Sequence, residues 1–301
     1  MFCNLKNDGI ALISALVLIA IATSITTFIF KNQQSKIKEI NLQRINLQAT
    51  QIYDGAVDWI KLILDEDLKF SETDTLDEPW TLKLEKIDVK NFTEDISLQK
   101  EFSNAYVNGY LVDAERMFNM TNLILGDSKR KKFYKKVFEN LLNQFSNLEQ
   151  LQIEKILLNI ETFSVNTEKF NFNAQKEDLI NISNIDSTNF ARINQLIIFL
   201  PVTSKNNINT MGKFMIKNLC SIDQNDVEEI IRARTVSPFK NKKDLLKRIN
   251  SIQGNDCVNF LKVSSNYFIV HGLVKIDKVI FNGSSLLDRT SGKTRLLWSR
   301  M

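Results

Sequence analysis

No charged side chain occurs in the 21-residue run Ile10–Phe30, IALISALVLIAIATSITTFIF, and the next residue is Lys31. An α-helix rises about 1.5 Å per residue, so a helix over this run is about 30 Å long, the thickness of the hydrocarbon core of a bilayer. The run therefore predicts a membrane-spanning helix. A removable secretory signal is the alternative, but such a signal has a shorter apolar core followed by a cleavage site between small residues.

The helical pattern continues beyond the apolar run. Apolar residues recur at spacings of three and four, and charged residues occupy the other faces, which is typical of an amphipathic helix. The apolar stripe consists of Ile45, Ala49, Ile52, Ala56, Trp59 and Ile63. The two segments together predict one helix of about 55 residues, about 80 Å long, that anchors the chain and projects from the membrane.

A short polar leader, residues 1–9, precedes the apolar run and ends in Asp8 and Gly9. A short leader, a glycine, an uninterrupted apolar run and an amphipathic helix together resemble the class III signal of type IV pilins and of the pseudopilins of type II secretion. The resemblance implies that a prepilin peptidase cleaves between Gly9 and Ile10 on the cytoplasmic side, and that the new amine of Ile10 is methylated. The chain departs from the family at Asp8, where a basic residue is usual. A plain anchor without processing is the alternative.

The fifth residue of the implied mature chain is Ser14, where most pilins and pseudopilins carry a glutamate. A carboxylate buried in lipid is costly, and it is tolerated there because it pairs with the terminal ammonium group of a neighbouring subunit. Ser14 cannot form that charge pair, so a subunit with this residue needs no subunit above it. The type II secretion system protein K family, the large minor pseudopilins, also lacks this glutamate, so the chain resembles that family at this position. That resemblance implies a place at the tip of the fibre.

Motifs along the rest of the chain also resemble protein K and occur in the family's order. They are Asp77–Trp80, Val107–Leu123, Asn206–Thr210 with Pro238–Phe239 and Asp244–Leu246, Val263–Val270, Ser285–Arg289 and Arg295–Arg300. In the second motif Glu115 stands where the family has a glycine. The resemblance implies an α+β fold: a pilin-like long N-terminal helix packed on an antiparallel sheet, with a large all-α domain inserted into the sheet. Trp80, Leu82 and Leu84 alternate with polar residues, which predicts that the first strand begins at Trp80.

The resemblance divides the chain into five parts. They are a leader (1–9), the transmembrane part of the long helix (10–30), its amphipathic part with the first strands (31–121), the inserted helical domain (122–257) and the closing strands (258–301). Within the insert, apolar periodicity predicts helices from Lys129 to about Ile160 with a break near Asn147. Asn-rich loops around 171–184 and a short buried segment at 195–201 follow.

Residues 206–249 also resemble a helix-hairpin-helix module, which supports a second hypothesis. Such modules bind nucleic-acid phosphates through backbone N–H groups at a Gly-x-Gly hairpin, because glycine lets the backbone approach closely. A membrane-anchored receptor for DNA uptake is therefore the alternative function. The hairpin here spans Cys220–Gln224, without glycine and with the acidic Asp223. We therefore expect no nucleic-acid partner and a role in helical packing.

Motifs for catalysis are missing from the sequence. The stretch Gly292–Thr294 lacks the earlier glycine of a phosphate-binding loop, since Leu287 stands there, and no serine-hydrolase, zinc-protease or Cys-x-x-Cys motif occurs. We expect no enzyme activity and no required cofactor. The resemblance to protein K makes Ca²⁺ a plausible ligand. The acidic groups at 65–67 and 74–78 offer oxygen ligands, although a solvated helix end is the simpler explanation.

The three cysteines, Cys3, Cys220 and Cys257, give an odd count. Removal of the leader takes Cys3 away and leaves two cysteines in the oxidising periplasm. We therefore predict a disulfide between Cys220 and Cys257 that ties the hairpin unit to the end of the insert.

The resemblance also implies the location and the partners of the chain. It crosses the bacterial inner membrane once, with its C-terminal head in the periplasm. The expected partners are other minor pseudopilins in a tip complex, the major pseudopilin, the prepilin peptidase and lipids of the inner membrane. Four residues of the apolar stripe are expected to pack against partner helices: Ile45, Ala49, Ile52 and Ala56.

Overall fold

The computed structural model describes residues 8–145, 149–166 and 187–301. In chain order its helices and strands are α1 (Asp8–Phe70), β1 (Leu84–Asp88), α2 (Ile96–Glu101), β2 (Ala105–Asp113), β3 (Phe118–Asn119), α3 (Thr121–Ile124), α4 (Ser128–Phe145), α5 (Gln150–Asn166), α6 (Ser187–Asn194), β4 (Ile197–Ile198), β5 (Asn206–Asn207), α7 (Lys213–Cys220), α8 (Gln224–Val236), α9 (Lys242–Arg248), β6 (Leu261–Lys262), β7 (Tyr267–Ile276), β8 (Val279–Asp288) and β9 (Arg295–Arg300). Short 3₁₀ turns lie at Pro79–Thr81, Val89–Phe92, Ala114–Arg116 and Asp256–Phe260.

The N-terminal helix α1 is continuous over 63 residues, a length of about 95 Å at 1.5 Å per residue. The prediction that the apolar run and the amphipathic segment form one helix is confirmed. The helix is longer than predicted at both ends, since it begins at Asp8 in the leader and reaches Phe70.

An antiparallel sheet of five strands packs on the C-terminal half of α1, in the order β1-β2-β7-β8-β9. The strands β2 and β7 pair without interruption from Ala105 opposite Ile276 to Asp113 opposite Phe268. The predicted α+β fold, with a long helix on an antiparallel sheet, is confirmed. The first strand is shorter than predicted, because Pro79 opens a 3₁₀ turn that contains Trp80, and the strand begins only at Leu84.

The face of α1 that packs on the sheet differs from the predicted stripe. The side chains fully covered by the sheet are Ala49, Tyr53, Val57, Ile60 and Leu64. The other predicted stripe residues lie on the flank of this face, and Trp59 is 45% exposed. The prediction of packing against partner helices is therefore corrected for Ala49, which belongs to the core of its own chain. Partial exposure of Ile45, Ile52 and Ala56 leaves that role a prediction for them.

Close contact between α1 and the sheet depends on two glycines. Gly272 and Gly283 are opposite each other in β7 and β8, and the ring of Tyr53 lies over both. A Cβ atom at Gly272 would come within 2.6 Å of that ring, and one at Gly283 would come closer still. The Tyr53 hydroxyl shares a 2.9 Å hydrogen bond with the Ser285 hydroxyl, so the helix is also held in register.

The inserted part of the chain, residues 114–266, lies between the sheet neighbours β2 and β7. The predicted insert limits at 122 and 257 fall inside this interruption. Helices α4 and α5 occur on either side of the predicted break near 147, and the segment 195–201 contains the buried strand β4, as expected. The predicted loops at 171–184 lie outside the described residues. The insert has its own apolar core, in which Phe118 stacks on Phe138 with ring centroids 5.3 Å apart.

Candidate functional site

The apolar half of α1 has no protein covering it in the described part of the chain. Large side chains from Leu12 to Phe30 are between half and two-thirds exposed. Among the described residues, one helix is long and apolar enough to cross a membrane, with a mean hydropathy of 2.4 in its most apolar window. Hydroxyls in this half, such as those of Thr23 and Thr27, donate to the carbonyl four residues earlier, so their polar groups are satisfied without water.

The structure places the predicted processing residues in the first turns of this helix. Gly9 and Ile10 are both helical, and Ser14 lies on the exposed surface of the helix, one turn further along. No acidic or basic side chain lies between Ile10 and Phe30, so this candidate membrane-spanning segment carries no side-chain charge. Cys3 lies outside the described residues.

A buried polar junction joins the sheet to the insert and to the end of α1. We define it by seven residues, each at most 5% exposed: Asp74, Asp113, Glu115, Asn207, Thr210, Ser265 and Arg289. These residues come from five of the sequence motifs that resemble protein K, or from the positions beside them. The junction is the point where those separate motifs meet.

Asp113, at the end of β2, forms the centre of the junction. Its Oδ2 atom accepts hydrogen bonds from the Thr210 hydroxyl (2.5 Å), the Ser265 hydroxyl (2.6 Å) and the Asn207 amide (3.2 Å). Burial raises the pKa of Asp113, and the hydrogen bonds from Ser265 and Thr210 oppose that rise. A single carboxyl group therefore links the end of β2, where the chain enters the insert, to Ser265, two residues before β7 resumes the sheet.

Glu115 lies two residues further on and is 1% exposed. It forms an ion pair with Lys262, and its Oε2 atom accepts a 2.6 Å hydrogen bond from the backbone N–H of Asn266. Burial raises the pKa of Glu115 to about 7, and the positive charge of Lys262 opposes the rise. Position 115 of this chain thus holds a buried ionisable group that titrates near neutral pH.

The raised pKa of Glu115 predicts a pH-dependent stability. Between pH 4.5 and about 7 the folded chain holds a proton that the unfolded chain has released, so stability falls as the pH rises through this window. We expect the difference in unfolding free energy between pH 5 and pH 8 to shrink by about 1–3 kcal/mol in Glu115→Gln. Urea denaturation of the full chain in detergent micelles measures it. The matched control is Glu85→Gln, which removes an exposed carboxylate of β1. If the unfolding free energy changed equally with pH in the unaltered chain and in both variants, the prediction would be contradicted.

Arg289, at the end of the Ser285–Arg289 motif, neutralises the acidic groups that the sequence offers as metal ligands. Its guanidinium donates to Asp67 Oδ2 (3.0 Å) and Asp74 Oδ1 (2.5 Å), and its side chain is 3% exposed. Carboxylate oxygens of Asp67, Asp74 and Glu78 all lie within 4.8 Å of one another. Glu78 accepts from the Trp80 indole N–H at 2.6 Å, and burial raises its pKa.

This donor set fits an internal ion pair better than a calcium ion. Ca²⁺ takes six to eight oxygen ligands at about 2.3–2.6 Å, whereas two of these three carboxylates already bind a guanidinium. The remaining acidic residues of the two groups are not in the cluster: Asp65 accepts from the Thr294 N–H, Glu66 pairs with Lys69, and Asp77 is exposed. Calcium binding therefore stays a prediction without assigned ligands.

The hairpin between α7 and α8 has a left-handed residue at its turn but lacks the glycines of a phosphate-binding hairpin. Ser221 adopts a left-handed conformation (φ 50°), which glycine adopts more easily. The start of α8 is capped by the Asp223 carboxylate, which accepts from the Asp226 N–H at 2.9 Å. The Asn255 amide donates to the Cys220 carbonyl at 2.7 Å. A carboxylate at the helix start repels phosphate, so this hairpin is a poor nucleic-acid site.

A disulfide joins Cys220 to Cys257, the pair expected from the sequence, with the Cα atoms 5.0 Å apart. It connects the end of α7 to the 3₁₀ turn at Asp256–Phe260, which leads back towards the sheet. Both cysteines are at least 99% buried in the core of the insert. The bond therefore closes the hairpin unit onto the last part of the insert.

Comparison with known proteins supports the fold. No protein-family model and no curated protein matches the sequence. A chain in the crystal structure of the GspK–GspI–GspJ complex from the enterotoxigenic Escherichia coli type 2 secretion system is similar, with a TM-score of 0.68. The match covers 87% of this chain and 98% of that chain, at 16% sequence identity. The chain thus has a pseudopilin-like fold, with a long N-terminal helix, an antiparallel sheet and a helical insert.

Little in the sequence indicated the polar junction as a unit. Asn207, Thr210 and Ser265 lie in the sequence motifs, but polar residues in loops carry no periodic signal of burial. One signal is present, because four of the five residues at 206–210 are small and polar, around the apolar Ile208, and the helix α7 begins only three residues later. Such a series suggests side chains that bond to backbone and to each other rather than to water.

Proposed function

We propose that this chain is a minor pseudopilin at the tip of the periplasmic pseudopilus of a type II secretion system. There it helps to initiate the fibre and supports protein export across the outer membrane. The observation that carries the proposal is the joining of an exposed apolar helix to a pseudopilin-like head with a large helical insert. The role is structural, without catalysis, and the partners are the other minor pseudopilins, the major pseudopilin and the prepilin peptidase.

The tip position is supported by charge and by shape. Ser14 offers no carboxylate to the terminal amine of a subunit above it, and in lipid that missing charge pair is not replaced by water. The insert adds residues 114–266 to one end of the sheet, where a stacked subunit would otherwise fit. Both features favour a subunit that ends the fibre.

Processing at the leader is the first test of the proposal. Mass spectrometry of the N-terminus of the chain isolated from membranes should find N-methylated Ile10. A Gly9→Val variant should keep residues 1–9, because the resemblance to prepilins places the cut directly after this glycine. An intact Met1 in the unaltered chain would contradict the pseudopilin assignment and support a plain anchor.

Partners and position are tested on the processed chain. The full chain in detergent should co-purify with the other minor pseudopilins of its secretion system. On overproduced surface fibres, an antibody against the insert should label fibre ends alone. Labelling along the length would contradict the tip position. The DNA-receptor alternative instead requires that the full chain retard duplex DNA with a steep salt dependence.

A further inference from the structure

The two edges of the sheet differ in how they are protected against pairing. At β1 the exposed charged residues Lys83, Glu85 and Lys86 flank or occupy the strand, and its register with β2 shifts between Leu84 and Ile87. Charges and irregularities of this kind prevent an edge strand from pairing with another chain. The charges along β1 therefore disfavour strand addition at this edge.

The opposite edge, β9, has a different character. Its centre is apolar: Leu296 is 42% exposed, Leu297 is 37% exposed and Trp298 is half-buried. Its pairing with β8 has one bulge, at Leu297, and its charged residues, Arg295 and Arg300, stand only at its two ends, with neither lysine nor proline in the strand. No strand lies beside its outer edge in the part of the chain that the structure describes.

The edge strand β9 is also held in place. The Thr294 N–H donates to Asp65 of α1 at 2.6 Å, and Arg295 makes two bonds to Asp288 of β8, at 2.8 and 2.6 Å. Near its end, the Ser299 hydroxyl accepts from the Ser285 hydroxyl at 2.9 Å. A strand fixed in this way loses little conformational entropy when another strand pairs with it.

We infer that β9 is the edge to which another minor pseudopilin adds an extended segment, so that one sheet continues through both subunits. The inference rests on the proposed function. Main-chain hydrogen bonds provide affinity in strand addition, and alternate side chains provide specificity. Lys293 and Arg300 are exposed at the two ends of β9. The segment that fits therefore has apolar residues at its centre and carboxylates near its ends.

A second copy of this chain does not fit the same edge. In an antiparallel pair of two β9 strands, Arg295 of one copy lies near Arg300 of the other at both ends. Like charges directly across a pair of strands are destabilising. The charge pattern therefore favours a different subunit over self-association.

Hydrogen exchange tests the inference on the full chain in detergent, alone and co-purified with the other minor pseudopilins. We expect amides of residues 295–300 to exchange at least tenfold more slowly in the complex, with amides of β1 unchanged. The double variant Leu296→Lys, Leu297→Lys should weaken co-purification at least tenfold. Leu82→Lys, at a 69% exposed leucine beside the other edge, is the matched control and should not.

The possible failures of this experiment are distinguishable. Co-purification without slower exchange in β9 would overturn the inference and leave the proposed function in place. Absence of co-purification would overturn both. Slow exchange in the chain alone that disappears on dilution would assign the edge to self-association and would also overturn the inference.

Discussion

Replacement of Arg289 by methionine is expected to destabilise the head by about 3–5 kcal/mol, because removal of one partner leaves buried charges uncompensated. The guanidinium is 3% exposed and pairs with Asp67 and Asp74, which are 9% and 2% exposed. It also donates to the Ser265 carbonyl at 2.9 Å and lies 4.7 Å from the centre of the Phe268 ring. Methionine keeps an unbranched apolar stem, is shorter than arginine, and removes all of these bonds.

Thermal or urea unfolding of the full chain in detergent measures the effect of Arg289→Met. Arg300→Met is the matched control, because Arg300 is exposed and has no ion pair among the described residues, so its loss should change stability by less than about 0.5 kcal/mol. Adding Asp74→Asn to Arg289→Met should recover part of the loss, since one uncompensated charge is then removed. Equal stability of Arg289→Met and Arg300→Met would contradict the buried ion pair.

Local patterns allowed the anchor and the helices of the insert to be predicted from the sequence. The long helix follows from an uncharged run and from spacings of three and four, both of which involve near neighbours in the chain. The predicted apolar stripe of α1 differs from the face that packs on the sheet for a physical reason. The stripe includes Trp59, which is 45% exposed, and omits Tyr53, which is buried because two glycines on distant strands leave room for its ring.

The polar junction could not be predicted as a site, because its contacts join distant parts of the chain. Asp74 and Arg289 are 215 residues apart, and Asp113 and Ser265 are 152 apart. Nothing local distinguishes these residues from solvated polar side chains in loops. The motif resemblance identifies the segments, and only their packing shows that Arg289 neutralises Asp67 and Asp74, two of the carboxylates that the sequence offers as calcium ligands.

Loss of the Cys220–Cys257 disulfide is expected to destabilise the insert by about 4 kcal/mol, since the bond closes a loop of 37 residues in the unfolded chain. The double variant Cys220→Ala, Cys257→Ala removes the bond without placing a hydroxyl in the core. Its effect should be concentrated in α7, α8 and the turn at Asp256–Phe260, because α1 and the five-stranded sheet do not include either cysteine. Limited proteolysis combined with thermal unfolding of the full chain measures both the size and the location of the loss.

A chemical control separates the disulfide from the packing of the two buried sulfur atoms. Treatment of the unaltered chain with a reductant should lower its stability to nearly that of the double alanine variant, whereas Cys3→Ser should leave stability unchanged. The same bond also reports the compartment of the head, because disulfides persist in the periplasm and are reduced in the cytosol. A thiol assay on the denatured, processed chain from membranes should therefore detect no free thiol. Two free thiols would contradict both the bond in the native chain and the periplasmic location of the insert.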